Sequence, residues 1–188
     1  MRNKHNRIYG LLMVGCMALS CTPDLPQATA AAQPFFSLKG FFEAEITRLG
    51  ETVPRANKLL RIAEKEEIQK GLTLDFATEL TAFKDSDINR PSWADKYTID
   101  SVFDASGYLN TLEYLAKDST LYTRHIRLDF ETDGTVKNCM IRNRLTNLIS
   151  DFRQSLQYDP KTGYTITVYQ GLGDDARQPV TLVVEFDQ

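Results

Sequence analysis

Apolar and polar positions divide the chain into stretches with different periods. In residues 35–49, Phe35, Leu38, Phe42 and Leu49 recur at roughly helical spacing. Ser37 is placed to cap a helix and Gly50 to stop it, which predicts an amphipathic helix over 38–49. Residues 57–68 read as a strand, since Leu60 and Ile62 alternate with Arg61 and Ala63, but the Glu/Lys-rich end leaves that pattern ambiguous. Residues 75–84 carry Phe76, Leu80 and Phe83 at i, i+4 and i+7, a second helix, broken at Asn89-Arg90-Pro91.

From residue 96 onward the period changes to two. Strands are predicted over 96–103, 108–116, 121–131, 135–143, 146–158, 164–170 and 179–186, seven in all, separated by short turn signals such as Asp133-Gly134 and Asp159-Pro160-Lys161-Thr162-Gly163. Connections this short join only antiparallel neighbours, because a parallel crossover needs a dozen or more residues. The expected fold class is therefore α+β: a curved antiparallel up-and-down β-meander of seven strands, packed on the two helices of the first half. The arrangement resembles the open half-barrel of the periplasmic lipoprotein carriers, at the level of fold and without a shared motif. That resemblance implies an apolar or amphiphilic ligand held inside the sheet.

Residues ahead of the helix carry an address. Arg2, Lys4 and Arg7 precede an uncharged, mostly apolar run over 8–19, too short to span a bilayer core, which needs ~20 residues. Ser20-Cys21 closes the run and resembles the lipobox of bacterial lipoproteins, which implies lipidation (palmitate among the acyl groups) at Cys21. Gly15-Cys16 is a second small-Cys pair, and Ala28-Thr29-Ala30 matches the small-residue pattern of ordinary signal peptidase. The expected organisation is a signal peptide over 1–20, the lipidated cysteine and a flexible tether over 21–34, and one globular domain over 35–188. Three prolines and a run of small residues give the tether nothing to bury. In the lipoprotein class that the leader resembles, an acidic residue after the cysteine holds a protein at the inner membrane, so the resemblance, with Thr22 at that place, implies the outer membrane of a Gram-negative bacterium as the location within the cell envelope.

Charge narrows the partners. The full chain carries 22 basic and 25 acidic side chains, net −3, and loss of residues 1–20 removes three basic groups, leaving 19 against 25. A net-acidic domain has no general attraction to nucleic acid or anionic lipid. With Cys16 removed and Cys21 lipidated, Cys139 is left without a disulfide partner and reads as a small buried residue in a strand.

Little in the chain suggests catalysis, and no cofactor or metal is expected. His125 falls on the polar outer face of its strand with Thr123, Arg127 and Asp129, and no G-x-S-x-G or comparable nucleophile setting accompanies it. Asp85-Ser86-Asp87-Ile88-Asn89 imitates the start of a calcium loop but has Arg90 at the glycine position and Lys96 where a bidentate glutamate belongs.

Polar residues interrupt the face expected to point inward: Arg124 beside Ile126 and Leu128, Asn138 and Arg142 around Met140, Gln154 between Phe152 and Leu156. Buried dry and unpaired, such groups would cost roughly 2–7 kcal/mol each. They stand in water at a rim or line a wet groove, and with Trp93 they are the candidate ligand-facing residues. Trp93 is equally suited to plug the sheet end. Two functional readings follow. One is an envelope-anchored structural or protein-interaction module that docks another envelope protein. The other is a carrier holding an apolar or amphiphilic ligand inside the curved sheet.

Overall fold

The fold is given by a computed structural model, which describes residues 34–53, 55–172, 175, 176 and 178–187. The leader, Cys16, Cys21 and the tether up to residue 33 lie outside the described residues. Helix α1 (Leu38–Thr52) starts where Ser37 accepts the Gly40 N–H at 3.0 Å. Leu38, Phe42, Glu45 and Leu49 form its buried face. The stretch expected as one ambiguous strand is a hairpin, β1 (Ala56–Ile62) and β2 (Lys65–Leu72). Its turn uses Ala63 at a φ of 52°, a conformation that alanine rarely advertises in sequence.

The second predicted helix is two short ones, α2 (Phe76–Glu79) and α3 (Thr81–Asp85). Asp75 caps the first through the Ala77 N–H at 3.1 Å. Leu80 leaves helical geometry between them, at φ −93° and ψ 10°, and is fully buried. A single 3-10 turn, Pro91–Trp93, then leads to the sheet.

The meander follows: β3 (Tyr97–Phe103), β4 (Leu109–Ala116), β5 (Thr123–Phe130), β6 (Val136–Thr146), β7 (Ser150–Asp159), β8 (Gly163–Leu172), the two-residue β9 (Asp175–Ala176) and β10 (Val180–Phe186). Every pairing is antiparallel, in the order β2-β1-β10-β8-β7-β6-β5-β4-β3, with β9 beside β8. The seven expected meander strands are there. The first hairpin extends them, because β1 pairs with β10 from Ala56↔Phe186 to Ile62↔Val180. The β6–β7 turn differs from expectation: residues 146–149 belong to the end of β6 and the turn, and Leu148, expected on an apolar strand face, is fully exposed. The sheet is open, with β2 and β3 at its edges.

The helices cover one face only. Register puts Tyr114, Ile126, Ile141, Leu156, Tyr164 and Val184 on that face, all buried. They pack against Leu38, Phe42, Leu49, Leu80 and Phe83, each burial being worth about 1.5–3 kcal/mol. Phe42 stacks at 4.9 Å on Phe83 and 5.1 Å on Tyr158. Two polar contacts tie the layers together. Tyr158 donates its hydroxyl to Glu45 of α1, while Arg48 holds the same carboxylate at 2.6 and 2.9 Å. Its cross-strand partner Tyr164 donates to Glu79 of α2 at 2.6 Å, and Lys58 of β1 pairs with that glutamate.

Tyr158 and Tyr164 flank the β7–β8 turn, where Gly163 sits at a φ of 139°. A Cβ added there would lie 1.9 Å from the Val184 carbonyl oxygen. Gly163→Ala should destabilise the fold by about 2 kcal/mol or more in urea unfolding. Gly50→Ala, in a helical position with nothing within 4 Å of the new methyl, should stabilise it by about 0.5–1 kcal/mol. Equal effects at the two sites would contradict this packing.

Candidate functional site

Since α1–α3 occupy one face of the sheet, the opposite face is left to solvent, and its chemistry is set by the other parity of each strand. Cross-strand rows on this outer face run Arg127–Met140–Gln157–Thr165–Val183, then His125–Arg142–Ser155–Thr167–Thr181, then Arg144–Arg153–Tyr169. Small hydroxyl side chains fill the centre and charged groups stand around them. Four cavities of about 240, 290, 310 and 420 Å³ lie along this face.

The largest, of about 420 Å³, includes Arg127, Asp129, Asn138, Gln157 and Glu185 in its lining. A charge network borders it. Arg127 bridges Glu113 at 2.9 Å and Asp129 at 3.1 Å, and His125 stands 3.8 Å from Glu113. The buried Nε2 of His125 has no hydrogen-bond partner. Burial holds the imidazole below its ordinary pKa; Arg142 and Arg127 push the same way, and Glu113 opposes them.

The cavity of about 310 Å³, at the other end of β6 and β7, brings together Arg124, Arg142, Arg144 and Arg153, beside Thr167 and Tyr169. Asp151 is the carboxylate that meets them. It accepts from Arg153 at 2.7 Å and from Arg144 at 2.9 Å, and these bonds hold it well below the usual carboxylate range. Arg153 also lies over the Tyr169 ring at 5.6 Å. Arg124 gives one N–H to the Asp118 carbonyl at 2.9 Å, while its Nε is buried without a partner. The Arg142 side chain makes no ion pair or hydrogen bond among the described residues. The surface of the cavity itself is almost wholly apolar, the stems of the arginines, while Arg142, Arg144 and Arg153 are exposed around it and, against the one carboxylate of Asp151, leave a net positive rim.

The structure distributes the sequence-predicted residues. Arg124 and Arg142 meet in the arginine cavity, and Asn138 lines the larger one. Asn138, Met140 and Arg142 face outward, not inward, because β6 turns Cys139, Ile141 and Asn143 to the helices. The run 136–143 has apolar residues at both parities, so alternation alone does not set its phase. Gln154 does face the helix side, where its Oε1 accepts from Asn143 at 3.1 Å and Tyr122 at 3.3 Å. Trp93 stands apart, half-buried against the core with the Arg90 guanidinium 4.4 Å above its ring. His125 faces outward as expected, but a bulge between Thr123 and His125 turns Thr123 to the helix side.

Arg144 and Arg153 were missed as site residues. The signal was available: Arg142 and Arg144 share strand parity, and a turn after Thr146 sets Arg153 opposite Arg144. Asn143 was missed as well. It is buried, and donates to Ser86 Oγ at 2.8 Å, tying the end of α3 to the sheet. Comparison with known proteins finds no matching family model, curated protein or solved structure.

The His125 environment has a measurable consequence. Its NMR titration midpoint should fall below 6.5, and Glu113→Gln should lower it further by removing the opposing charge. The unfolded chain binds the proton near 6.5 and the folded chain only at lower pH, so stability falls as pH drops through that window. His125→Gln should remove this slope. A midpoint above 6.5 would contradict the role given to burial.

Proposed function

We propose that this chain is an envelope-anchored lipoprotein, held by lipid on Cys21 and expected at the outer membrane, that works as a protein-interaction module through the outer face of its sheet. The carrying observation is the asymmetry of the sheet. One face is consumed by packing on the helices, while the other keeps its cavities, hydroxyl groups and ionic side chains open to solvent. Such a surface offers a partner many hydrogen-bond donors and acceptors already fixed on rigid strands.

The arrangement of reactive groups favours binding over catalysis. Cys139 is fully buried on the helix side, with its thiol pKa pushed up by burial, and His125 stands on the opposite face among Glu113 and arginines. A thiolate nucleophile needs the reverse: exposure and a base beside it.

The carrier reading has one observation in its favour. Beyond the cover of the helices, Ile62, Val180 and Leu145 are exposed on the helix side next to half-buried Val168 and Phe152. An amphiphile carried by this protein would lie there, away from the arginines.

A photocrosslinking residue placed in cells at Gln157 on the outer face or at Val180 on the helix side separates the two readings. The interaction reading predicts discrete protein adducts from Gln157, few from Val180, and loss of the Gln157 adducts when Cys21→Ser releases the chain. Small lipid adducts from Val180, with none from Gln157, would replace it with the carrier reading.

A further inference from the structure

The β6–β7 turn carries an apolar tip directly beneath the arginine cavity. Leu148 is fully exposed, Ile149 and Leu145 are largely so, and the chain there is fixed rather than merely loose. Asn147 Oδ1 accepts the Ile149 and Ser150 N–H groups at 3.0 and 2.8 Å, and the Asn147 N–H donates to the Ser150 carbonyl at 2.9 Å. A turn held by the polar groups of Asn147, Ile149 and Ser150 leaves its two apolar side chains with no packing role.

Distance links the tip to the cations. Arg144 is two residues from the end of β6 and Arg153 three from the start of β7, about 7–10 Å back along the strands. The interfacial layer of a bilayer is about 5–8 Å thick on each side of the hydrocarbon. With Leu148 and Ile149 at the hydrocarbon boundary, the guanidiniums of Arg144 and Arg153 reach the level of the lipid phosphates. Arg142 and Arg124 stand one row further back.

We propose that this end of the sheet is a second membrane contact, in which Leu148 and Ile149 enter the bilayer and the exposed guanidiniums of Arg142, Arg144 and Arg153, around the rim of the arginine cavity, pair with the phosphates of anionic lipid headgroups. Charge complementarity selects the occupant. The chain as a whole is acidic, so an anionic surface repels most of the domain and attracts it at this end. That polarity orients the domain as well as binding it. With the lipid on Cys21 proposed above, the tether keeps the tip within reach of the bilayer, and a weak contact is then enough. The orientation leaves the larger cavity, at the far end of the same face, available to a protein partner.

The test uses the mature, lipidated chain reconstituted into vesicles of phosphatidylcholine alone or of phosphatidylcholine with phosphatidylglycerol. Ile149→Cys carries an environment-sensitive fluorophore; Cys139 is buried and does not compete for the label. The proposal predicts a blue shift and quenching by lipid-borne quenchers in the phosphatidylglycerol vesicles only. Arg142→Gln, at an exposed position, should weaken this contact about fivefold, and Arg142→Gln with Arg144→Gln by about 25-fold. Leu148→Ser should abolish the insertion signal while leaving the fold unchanged by circular dichroism.

Emission that is the same in both lipids, or unchanged by the arginine substitutions, overturns the proposal. So does binding of inorganic phosphate at these arginines without any response to vesicles, which would assign the site to a free anion. Failure of the anchor reading is distinguishable, because the chain would then float with phosphatidylglycerol vesicles and not with phosphatidylcholine alone.

Discussion

Two tyrosines facing each other across the β7–β8 turn set the layout of the whole molecule. Tyr158 and Tyr164 each donate a hydroxyl hydrogen bond to a helix carboxylate, Glu45 and Glu79, and each carboxylate is also held by a cation, Arg48 or Lys58. Burial, and then the bonds to glutamate, push both phenols far above their ordinary pKa, which keeps the hydroxyl protons in place to be donated. Arg48 reaches beyond Glu45 to the Pro160 carbonyl at 2.9 Å and so fastens the turn itself. A buried charged group with its partner removed is costly, so each pair constrains where the helices sit more than it adds net stability.

Fixing α1 and α2 over the centre of the sheet has two consequences. The covered face becomes a packed core of aromatic rings, with Phe42 touching Phe41, Phe83 and Tyr158 at centroid distances of 4.9–5.1 Å. The opposite face is freed from packing and can carry charges and cavities that a core would not tolerate. The apolar strip from Ile62 to Leu145 and the tip at Leu148 lie where the helical cover ends. The proposed working surfaces therefore follow from the reach of three short helices.

Much of this was legible in the sequence where the signal was local. The seven-strand meander follows from alternation and from turns such as Asp133-Gly134, and α1 from the spacing of Leu38, Phe42 and Leu49. What stayed hidden depends on distant partners or on phase. Pairing of β1 with β10 joins residues at opposite ends of the domain, and no local pattern encodes it. The Ala63 turn lacks the glycine or asparagine that marks a hairpin. Leu80 was read as one more helical position because burial, not helix periodicity, decided its place. In β6, Met140 and Ile141 are both apolar, and the parity chosen from Met140 sends Asn138 and Arg142 to the wrong face. The arginine cavity was overlooked for a different reason: net charge is a sum that hides a local cluster, and the parity and turn that bring three arginines of one hairpin together show it only once the strands are paired, with a fourth at a bulge.

Arginine-directed covalent footprinting of the chain in whole cells, compared with the purified protein, tests the outer face as the working surface most directly. Arg142, Arg144 and Arg153 should lose reactivity in the cell, while Arg90, between α3 and β3 with its guanidinium over Trp93, should react equally in both states. Equal reactivity of the outer-face arginines in both states, or protection confined to Arg90, would contradict that assignment.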